Sequence, residues 1–410
     1  MVRALFKPSD FGFGTVVSRA LVIGGGPAGL MAAEVLARAG VEVTICDAKP
    51  SFGRKFLMAG KSGLNLTKDE PFSALISHYT GDIEALKPIV SDFDAAAVMR
   101  WAEGLEQEIF TGSSCRVFPR VMKASPLLRA WLERLDHLGV QRLTRHRWIG
   151  WDVEGAMFDT PEGRQRLAAD VFVLALGGAS WARLGSDGAW VPSLSDMGVE
   201  VTPFAPSNVG VSVKWSAHMQ PHFGQAIKSV TWRAGEIESR GEATVSEHGL
   251  EGGGVYTLTP ALRMGEPLFV DLIPDVIAEQ AEARLANKSD KLRLAHWLRN
   301  GLRLPPVKVA LFFEAFAGRI PTREAWVRSV KNVPLSYAGL QPMDEAISTA
   351  GGVAWNSLTP DLMLKAQPGV FCAGEMIDWD APTGGYLLTA CFATGRWAGE
   401  GALRYLAKAA

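Results

Sequence analysis

From Arg19 to Lys49 the chain reads RALVIGGGPAGLMAAEVLARAGVEVTICDAK. No other stretch restricts the possible folds as much. Leu21–Ile23 is a short apolar run, as a strand buried on both faces requires. Gly24, Gly26 and Gly29 then satisfy GxGxxG, with Pro27 and Ala28 between the last two. From Ala28 the apolar spacing turns helical, and Gly40 stops it. Val41–Cys46 reads as a second strand and delivers Asp47, followed by Ala48 and Lys49. Each glycine has a mechanical task. Gly24 permits the tight turn, Gly26 lets backbone approach a pyrophosphate, and Gly29 lets helix pack on strand. The helix N-terminus offers free N–H groups and the positive end of its dipole to phosphate. An acid about 20 residues beyond the first glycine is placed to accept the ribose hydroxyls of an AMP half. Asp47 in that place argues against a 2′-phosphate. It leaves NAD and FAD both open.

The far end of the chain separates them. Residues 369–386 read GVFCAGEMIDWDAPTGGY. Gly369–Cys372 reads as a strand, and it ends on Ala373, Gly374 and Glu375, with Asp378 close behind. Gly374 would let backbone approach a flavin-side phosphate or ribityl chain, and an acid there can accept ribityl hydroxyls. Gly385 and Tyr386 then open a helix over 387–408. Its N-terminus can face the pyrimidine end of a flavin, where negative charge develops on reduction. An NAD enzyme needs no such second end, so FAD is the expected cofactor. The other redox partner would be oxygen, a quinone or NAD(P); EGGGVY at 251–256 lacks a preceding apolar strand and makes no second dinucleotide site, which favours an oxidase, or a reductase that NAD(P)H visits as a transient reductant.

The 410 residues are too many for one ordinary core. Residues 1–18 read as a leader, 19–202 as the first part of the cofactor domain, 203–334 as an insertion, and 335–410 as the second part. Residues 72–140 read as helices with short loops, and 144–178 as a β-meander feeding the strand Val171–Ala175. Segments 208–215, 225–233, 239–247 and 267–273 alternate like antiparallel strands. Residues 276–330 look helical. A formal charge of −1 gathers neither nucleic acid nor anionic membrane. No apolar run approaches the roughly 20 residues of a membrane span, and no signal-peptide pattern opens the chain, so a cytoplasmic protein is expected. The four cysteines form no CxxC pair, which argues against a zinc ribbon, a disulfide framework and a dithiol relay. His218 and His222 have Pro221 between them and no accompanying carboxylate, so no metal is expected. Nothing in the pattern sets an oligomeric state.

GGGPAGLMAA, GRKFLMAGKSGLNLT, RVFPRVMKASPLL, LALGGASWARLGSDG, EHGLEGGGVYTL, STAGGV and GEMIDWDAPTGGY follow one another in this order. With them the chain resembles the BaiN/YhiN-like flavoproteins, also labelled aminoacetone oxidase-like, within the two-dinucleotide-binding-domain flavoproteins. The resemblance runs from about residue 19 to the C-terminal end. It implies an α/β protein: a Rossmann-like domain holding noncovalent FAD, and an inserted antiparallel β-barrel-like domain with helices. By position it places Gly24, Gly26, Ala28, Gly29, Asp47, Lys49, Arg54, Lys55 and Asn65 along FAD from one end of the chain. From the other end it places Gly374, Glu375, Asp378, Gly385 and Tyr386. Pro27, Ala48, Leu176 and Gly177, at the ends of their strands or inside the same turn, complete the expected cofactor set. Two departures stand out: Gly63-Leu64 replaces the family's Arg-Cys pair, and Leu387 replaces the Asn after GGY.

Flavin carries the hydride or the electrons, so no catalytic acid or base is compulsory. The candidates are Lys61 and Ser62 in the glycine-rich loop, Glu251 in the insertion, and Tyr386. Each has a plainer alternative: a solvent-facing or phosphate-facing loop, a helix N-cap region, and the core. Arg116 and Arg120 would hold an anionic substrate or simply face water. The expectation is an FAD-dependent oxidoreductase acting on a small molecule held between cofactor domain and insertion. The rivals are an NAD-dependent dehydrogenase and a non-catalytic flavin-binding redox sensor.

Overall fold

The computed structural model describes residues 18–60, 63–286, 289, 291–316 and 319–409. All of the expected leader except Ser18 lies outside these residues, and so do Lys61 and Ser62. The chain divides into two compact units, Met1–Ala205 with Ser348–Ala410, and Pro206–Ile347.

The first unit is built on a five-stranded parallel sheet. Strand β1 (Arg19–Ile23) lies between β2 (Glu42–Asp47) and Val171–Leu174, with Gln141–Thr144 and Val370–Cys372 at the edges. Central strands of such a sheet are covered on both faces, and β1 is buried from Ala20 onward. Helix α1 (Pro27–Arg38) has Pro27 in its first turn, where a missing N–H costs nothing. The C-terminal helix Tyr386–Ala409 packs along α1. Close approach depends on Gly395, where a Cβ would overlap the carbonyl of Ala28. Buried Glu34 accepts from the Trp131 indole at 2.7 Å and from Arg134 at 3.0 Å, so α1 is also tied to the helix Ala124–His137. Arg147–Asp152, Gly155–Thr160 and Gly163–Leu167 form the antiparallel meander.

Residues 72–140 are not helical throughout. Ile109–Thr111 and Arg116–Pro119 form a hairpin, and β3 (Thr67–Lys68) pairs with its second strand. Arg116–Pro119 alternates exposed and buried positions. Four residues are too short a run to stand out beside the longer helical patterns around them.

The second unit holds two antiparallel sheets. In one, Ala226–Ile227, Ala243–Ser246, Gly249–Glu251, Val211–Ser212 and Gly339–Leu340 are neighbours in that order. In the other the order is Ile237–Arg240, Thr231–Ala234, Leu268–Asp271 and Val333–Leu335. Gly339–Leu340 hydrogen-bonds with Val211–Ser212, so this unit runs on past residue 334 to Ile347. The expected strand over 225–233 is split in two at Ser229, whose φ is 50°. Helices Ala278–Ala286, Pro306–Phe316 and Trp326–Lys331 complete a core centred on Trp232, Trp297 and Phe312. Lys308 is buried in this unit. Its Nζ donates to the carbonyls of Ser229 at 2.9 Å and Leu272 at 2.8 Å. Burial pushes its pKa down to about 8, against the pull of Asp271 and Asp275.

Candidate functional site

The three glycines after β1 are not equivalent. Gly24 has φ 113°, and a Cβ there would overlap the Ala175 carbonyl. A Cβ at Gly29 would overlap the carbonyl of Gly24. Both are places where the chain approaches itself. At Gly26, by contrast, a Cβ would meet nothing within 4 Å. Gly26 caps α1, and Pro27, half-buried, and Ala28, buried, follow it. The 12-residue helix begins here with no side-chain cap, and its first N–H groups have no partner within the helix.

Asp47 ends β2 beside this turn. Its Oδ2 accepts from Gly25 N at 2.9 Å and its Oδ1 from Lys49 N at 2.7 Å. Burial raises its pKa, while those two N–H bonds and the charges of Lys49 and Arg54 oppose the rise. Ala48 and Lys49 are half-buried, and the Lys49 stem runs beside Gly185. On the helix α2 (Arg54–Ala59), Arg54 reaches Ser51 Oγ at 3.3 Å through one terminal nitrogen, but its Nε is buried without a protein partner. Asn65 Oδ1 is in the same state, and so is Ser186 Oγ. Ser186 is 6% exposed and lies against Gly177, whose φ is 73°. Leu176 is half-buried there, and the Gly177 carbonyl accepts from the Trp190 indole at 2.8 Å.

The two sequence ends meet at Lys55. Its Nζ lies 2.6 Å from Glu375 Oε2, across 320 positions, and donates to Ser180 Oγ at 2.7 Å. The other carboxylate oxygen of Glu375 accepts from Thr349 N at 3.0 Å. An ammonium has three N–H donors, so one remains for a ligand.

The remaining C-terminal positions are closed more tightly by the chain itself. Gly374 has φ 81°, and its Cβ would come within 2.8 Å of the Ala28 Cβ. Its N–H donates to Thr394 Oγ1 and its carbonyl accepts from the Trp379 indole. At Gly385 a Cβ would overlap the backbone of Thr67. Asp378 Oδ2 accepts from Thr202 Oγ1 at 2.7 Å. Tyr386 donates its hydroxyl proton to Glu70 Oε1 at 2.7 Å and accepts from Lys68 Nζ at 2.9 Å, with the His78 ring 4.5 Å away. Burial, and then Glu70, hold its hydroxyl protonated far above the usual tyrosine range. Glu251 belongs to the second unit, where it accepts from Gln341 Nε2 at 3.3 Å. In the same unit His218 precedes the short turn Gln220–His222, and His222 contacts Gln225 at 3.1 Å.

Sequence reasoning missed Ser180, Ser186 and Thr349. Their segments, GGASWARLGSDG and STAGGV, carry the family resemblance, but nothing in a single sequence shows which serine turns inward. Among the described residues no helix is long and apolar enough to cross a membrane.

The group implied by the resemblance fits these residues. Of the six buried side-chain polar atoms without a partner among the described residues, Arg54 Nε, Asn65 Oδ1 and Ser186 Oγ lie on this set of segments. The other three are tryptophan indoles, at Trp148, Trp151 and Trp297. Buried polar atoms are nearly always paired, so three such atoms on these segments, together with the first N–H groups of α1, call for a large polar ligand. Phosphate oxygens and ribityl hydroxyls have the matching chemistry.

Residues 18–401 match the family described as HI0933-like protein Rossmann domain. A 3-dehydro-bile acid delta(4,6)-reductase from Clostridium scindens is 26% identical over 94% of this chain and 99% of its own length. The ribosomal RNA dihydrouridine synthase of Escherichia coli is 22% identical over 90% of this chain and 93% of its own. Among solved structures, an open conformation of a flavocytochrome c3 fumarate reductase superposes with a TM-score of 0.52 at 15% identity, covering 96% of this chain and 79% of that one. E. coli quinol fumarate reductase gives 0.50 at 16% identity, covering 96% and 71%. At such identities the structural likenesses speak for the fold alone. The family match spans nearly the whole chain, and so this protein belongs to the HI0933-like family, on the Rossmann-like fold of FAD-dependent oxidoreductases.

Proposed function

We propose that this chain binds FAD noncovalently and reduces a carbon–carbon double bond in a small molecule, taking its electrons from NAD(P)H as a transient visitor. The observation that carries the cofactor reading is the trio of buried atoms without a protein partner, Arg54 Nε, Asn65 Oδ1 and Ser186 Oγ, taken with the glycine turn that opens α1. In this reading Asp47 accepts the ribose hydroxyls, since each of its oxygens keeps a lone pair beyond its one backbone bond. Gly24, Gly26 and the first turn of α1 receive the pyrophosphate, with Pro27, Ala28 and Gly29 shaping the turn. Lys55 offers its third N–H, and Glu375 holds that ammonium in place. Ala48, Lys49, Leu176, Gly177, Gly374 and Gly385 shape the walls.

Bound FAD supplies the hydride transfer. The chain supplies orientation and a dry, charge-matched surface. The direction of reaction is supported by the relatives, both of whose names denote saturation of a carbon–carbon bond. No second glycine-rich strand–turn–helix unit is evident in the sequence, which suits a nicotinamide that visits and leaves.

The test is the absorbance spectrum of the purified protein, followed without oxygen. Flavin bands that bleach with NADPH or NADH and return on adding an α,β-unsaturated ketone support the whole reading. Bands that persist with either nucleotide would remove the reductase assignment and leave an oxidase or dehydrogenase. A colourless protein that cannot be reconstituted with FAD would remove the cofactor itself.

A further inference from the structure

The motif RVFPRVMK, residues 116–123, holds the backbone on either side of Asn65 but donates no side-chain hydrogen bond to the site described above. It opens on the strand Arg116–Pro119, which lies between Ile109–Thr111 and β3. Val117 and Pro119 are buried on one face. The other face carries Arg116, Phe118 and, directly across the ladder from Phe118, Phe110. The two phenylalanine rings are stacked, with centroids 5.7 Å apart and planes at 29°. Phe110 remains 37% exposed, and Met122 and Val121 beside them 39% and 55%. Grouped apolar side chains left in water on one small sheet mark a binding surface more often than single ones do.

Charge says what that surface binds. Lys68 and Arg116 stand directly opposite each other across the β3 ladder. Like charges in that position are destabilising. Glu70 at 3.1 Å neutralises Lys68. The Arg116 side chain makes no hydrogen bond or ion pair among the described residues; its Nε stands beside Gly384, in the turn that opens the C-terminal helix, and its charge acts on Tyr386. A guanidinium without a carboxylate partner therefore sits two strand positions, roughly 7 Å, from the centre of a stacked aromatic pair. The rim is of the opposite sign. Glu103, Glu106 and Glu108 border the outer edge at Ile109, and Arg120 there is already paired with Glu108 at 3.0 Å. A polyanion would be repelled by that rim; a ligand with one negative group would not.

We infer that this face is the substrate platform of the proposed reductase. Its ligand is a flat, apolar small molecule bearing a single carboxylate or sulfate. The ring system lies on Phe110 and Phe118, with Met122 filling the edge. The acid group takes a bidentate bond from Arg116, as that planar fork favours. The inference rests on the reductase reading for the word substrate, and on the sheet face alone for the binding.

The test uses the FAD-loaded protein and a pair of probes, 2-naphthoate and the uncharged naphthalene-2-methanol, titrated by calorimetry without turnover. Wild type is expected to prefer the acid by about tenfold, the range of one charge-assisted hydrogen bond. Arg116→Gln should abolish that preference and leave the alcohol unchanged. Phe110→Ala should weaken both probes several-fold, as loss of an aromatic contact does. Both side chains are exposed, so the variants should keep wild-type melting temperature and flavin content. A yellow wild type that ignores naphthoate, or binds it equally in all three proteins, overturns the platform while leaving the cofactor reading intact. Loss of FAD from Arg116→Gln would also overturn it, by giving the face to the cofactor. A wild type that takes no FAD fails the reductase reading instead, and with it the platform's role as a substrate site.

Discussion

Lys308 and Asn65 are both polar side chains with buried atoms, one in each unit, and they are finished in different ways. Lys308 finds two carbonyl oxygens of its own unit. Asn65 Oδ1 finds none, although it is as thoroughly shut away from water. Among the described residues of the second unit, only the Trp297 indole is left in that condition, whereas the first unit leaves five side-chain atoms so. Glycines show the same division at shorter range. Gly24 is pressed against its own chain, and Gly26 is not. A self-sufficient unit closes its own hydrogen bonds, because an orphaned buried group costs about 1–3 kcal/mol. In the proposed reading the first unit leaves some of them to be closed by FAD.

The comparison breaks first at Gly24. Gly24→Ala puts a methyl group into the Ala175 carbonyl at a φ that side chains rarely adopt. It should cost about 4 kcal/mol or more and leave little folded first unit, read by circular dichroism and urea titration. Gly26→Ala should leave the apoprotein's stability nearly unchanged; equal damage at both positions would erase the distinction between chain approach and ligand approach. Next comes Lys308→Ala, which orphans two carbonyls and opens a cavity. About 3 kcal/mol of the second unit's stability should be lost, with the dissociation constant for FAD unaltered. Asn65→Ala should do the reverse. Its apoprotein should be at least as stable as wild type, because an unpaired group has been removed, while FAD binding weakens about tenfold in equilibrium dialysis. Stability lost without any change in FAD affinity would show that Asn65 serves the fold.

The smallest effect is one of pH. Lys308 has its folded pKa pushed down to about 8 from 10.5. Between those values the folded chain has released a proton that the unfolded chain still holds. Stability then rises with pH. The urea midpoint of the second unit should climb from about pH 8 upward, and Lys308→Met should lack that climb. A falling midpoint in wild type would mean that the carbonyl pair keeps the ammonium charged.

Much of this arrangement could be read in the sequence, for reasons of range. The unit from β1 to Asp47 is local: one strand, one turn, one helix, all within reach of 3.6- and 2-residue periods. Gly374 and Glu375 were legible as a turn with an acid, but their immediate partners were not. The sequence suggested contact with a ligand. In the fold Gly374 touches Ala28 and Glu375 holds Lys55, so these residues join the chain's two ends directly. Tyr386 was open between flavin and core; its hydroxyl is tied to Glu70 and Lys68. The inward turn of Ser186 depends on Gly177 and Trp190, neighbours that no periodicity encodes. The Phe110–Phe118 pair was hidden for the opposite reason, since two very short strands in a helical region give too few residues to show alternation.

The ion pair between Lys55 and Glu375 also orders events on the ribosome. The second unit is contiguous and can fold once Ile347 has emerged. The first unit must still wait for an edge strand, Val370–Cys372, and for the helix that covers α1. At about 5–20 residues per second that wait lasts several seconds. During it the nascent chain carries a finished insertion inside an unfinished host, with β1 and α1 made long before but not yet covered. Cofactor loading is thereby deferred until translation is nearly over. A message that stops short of Glu375 yields a chain whose exposed parallel strands mark it for proteolysis, however well its insertion has folded.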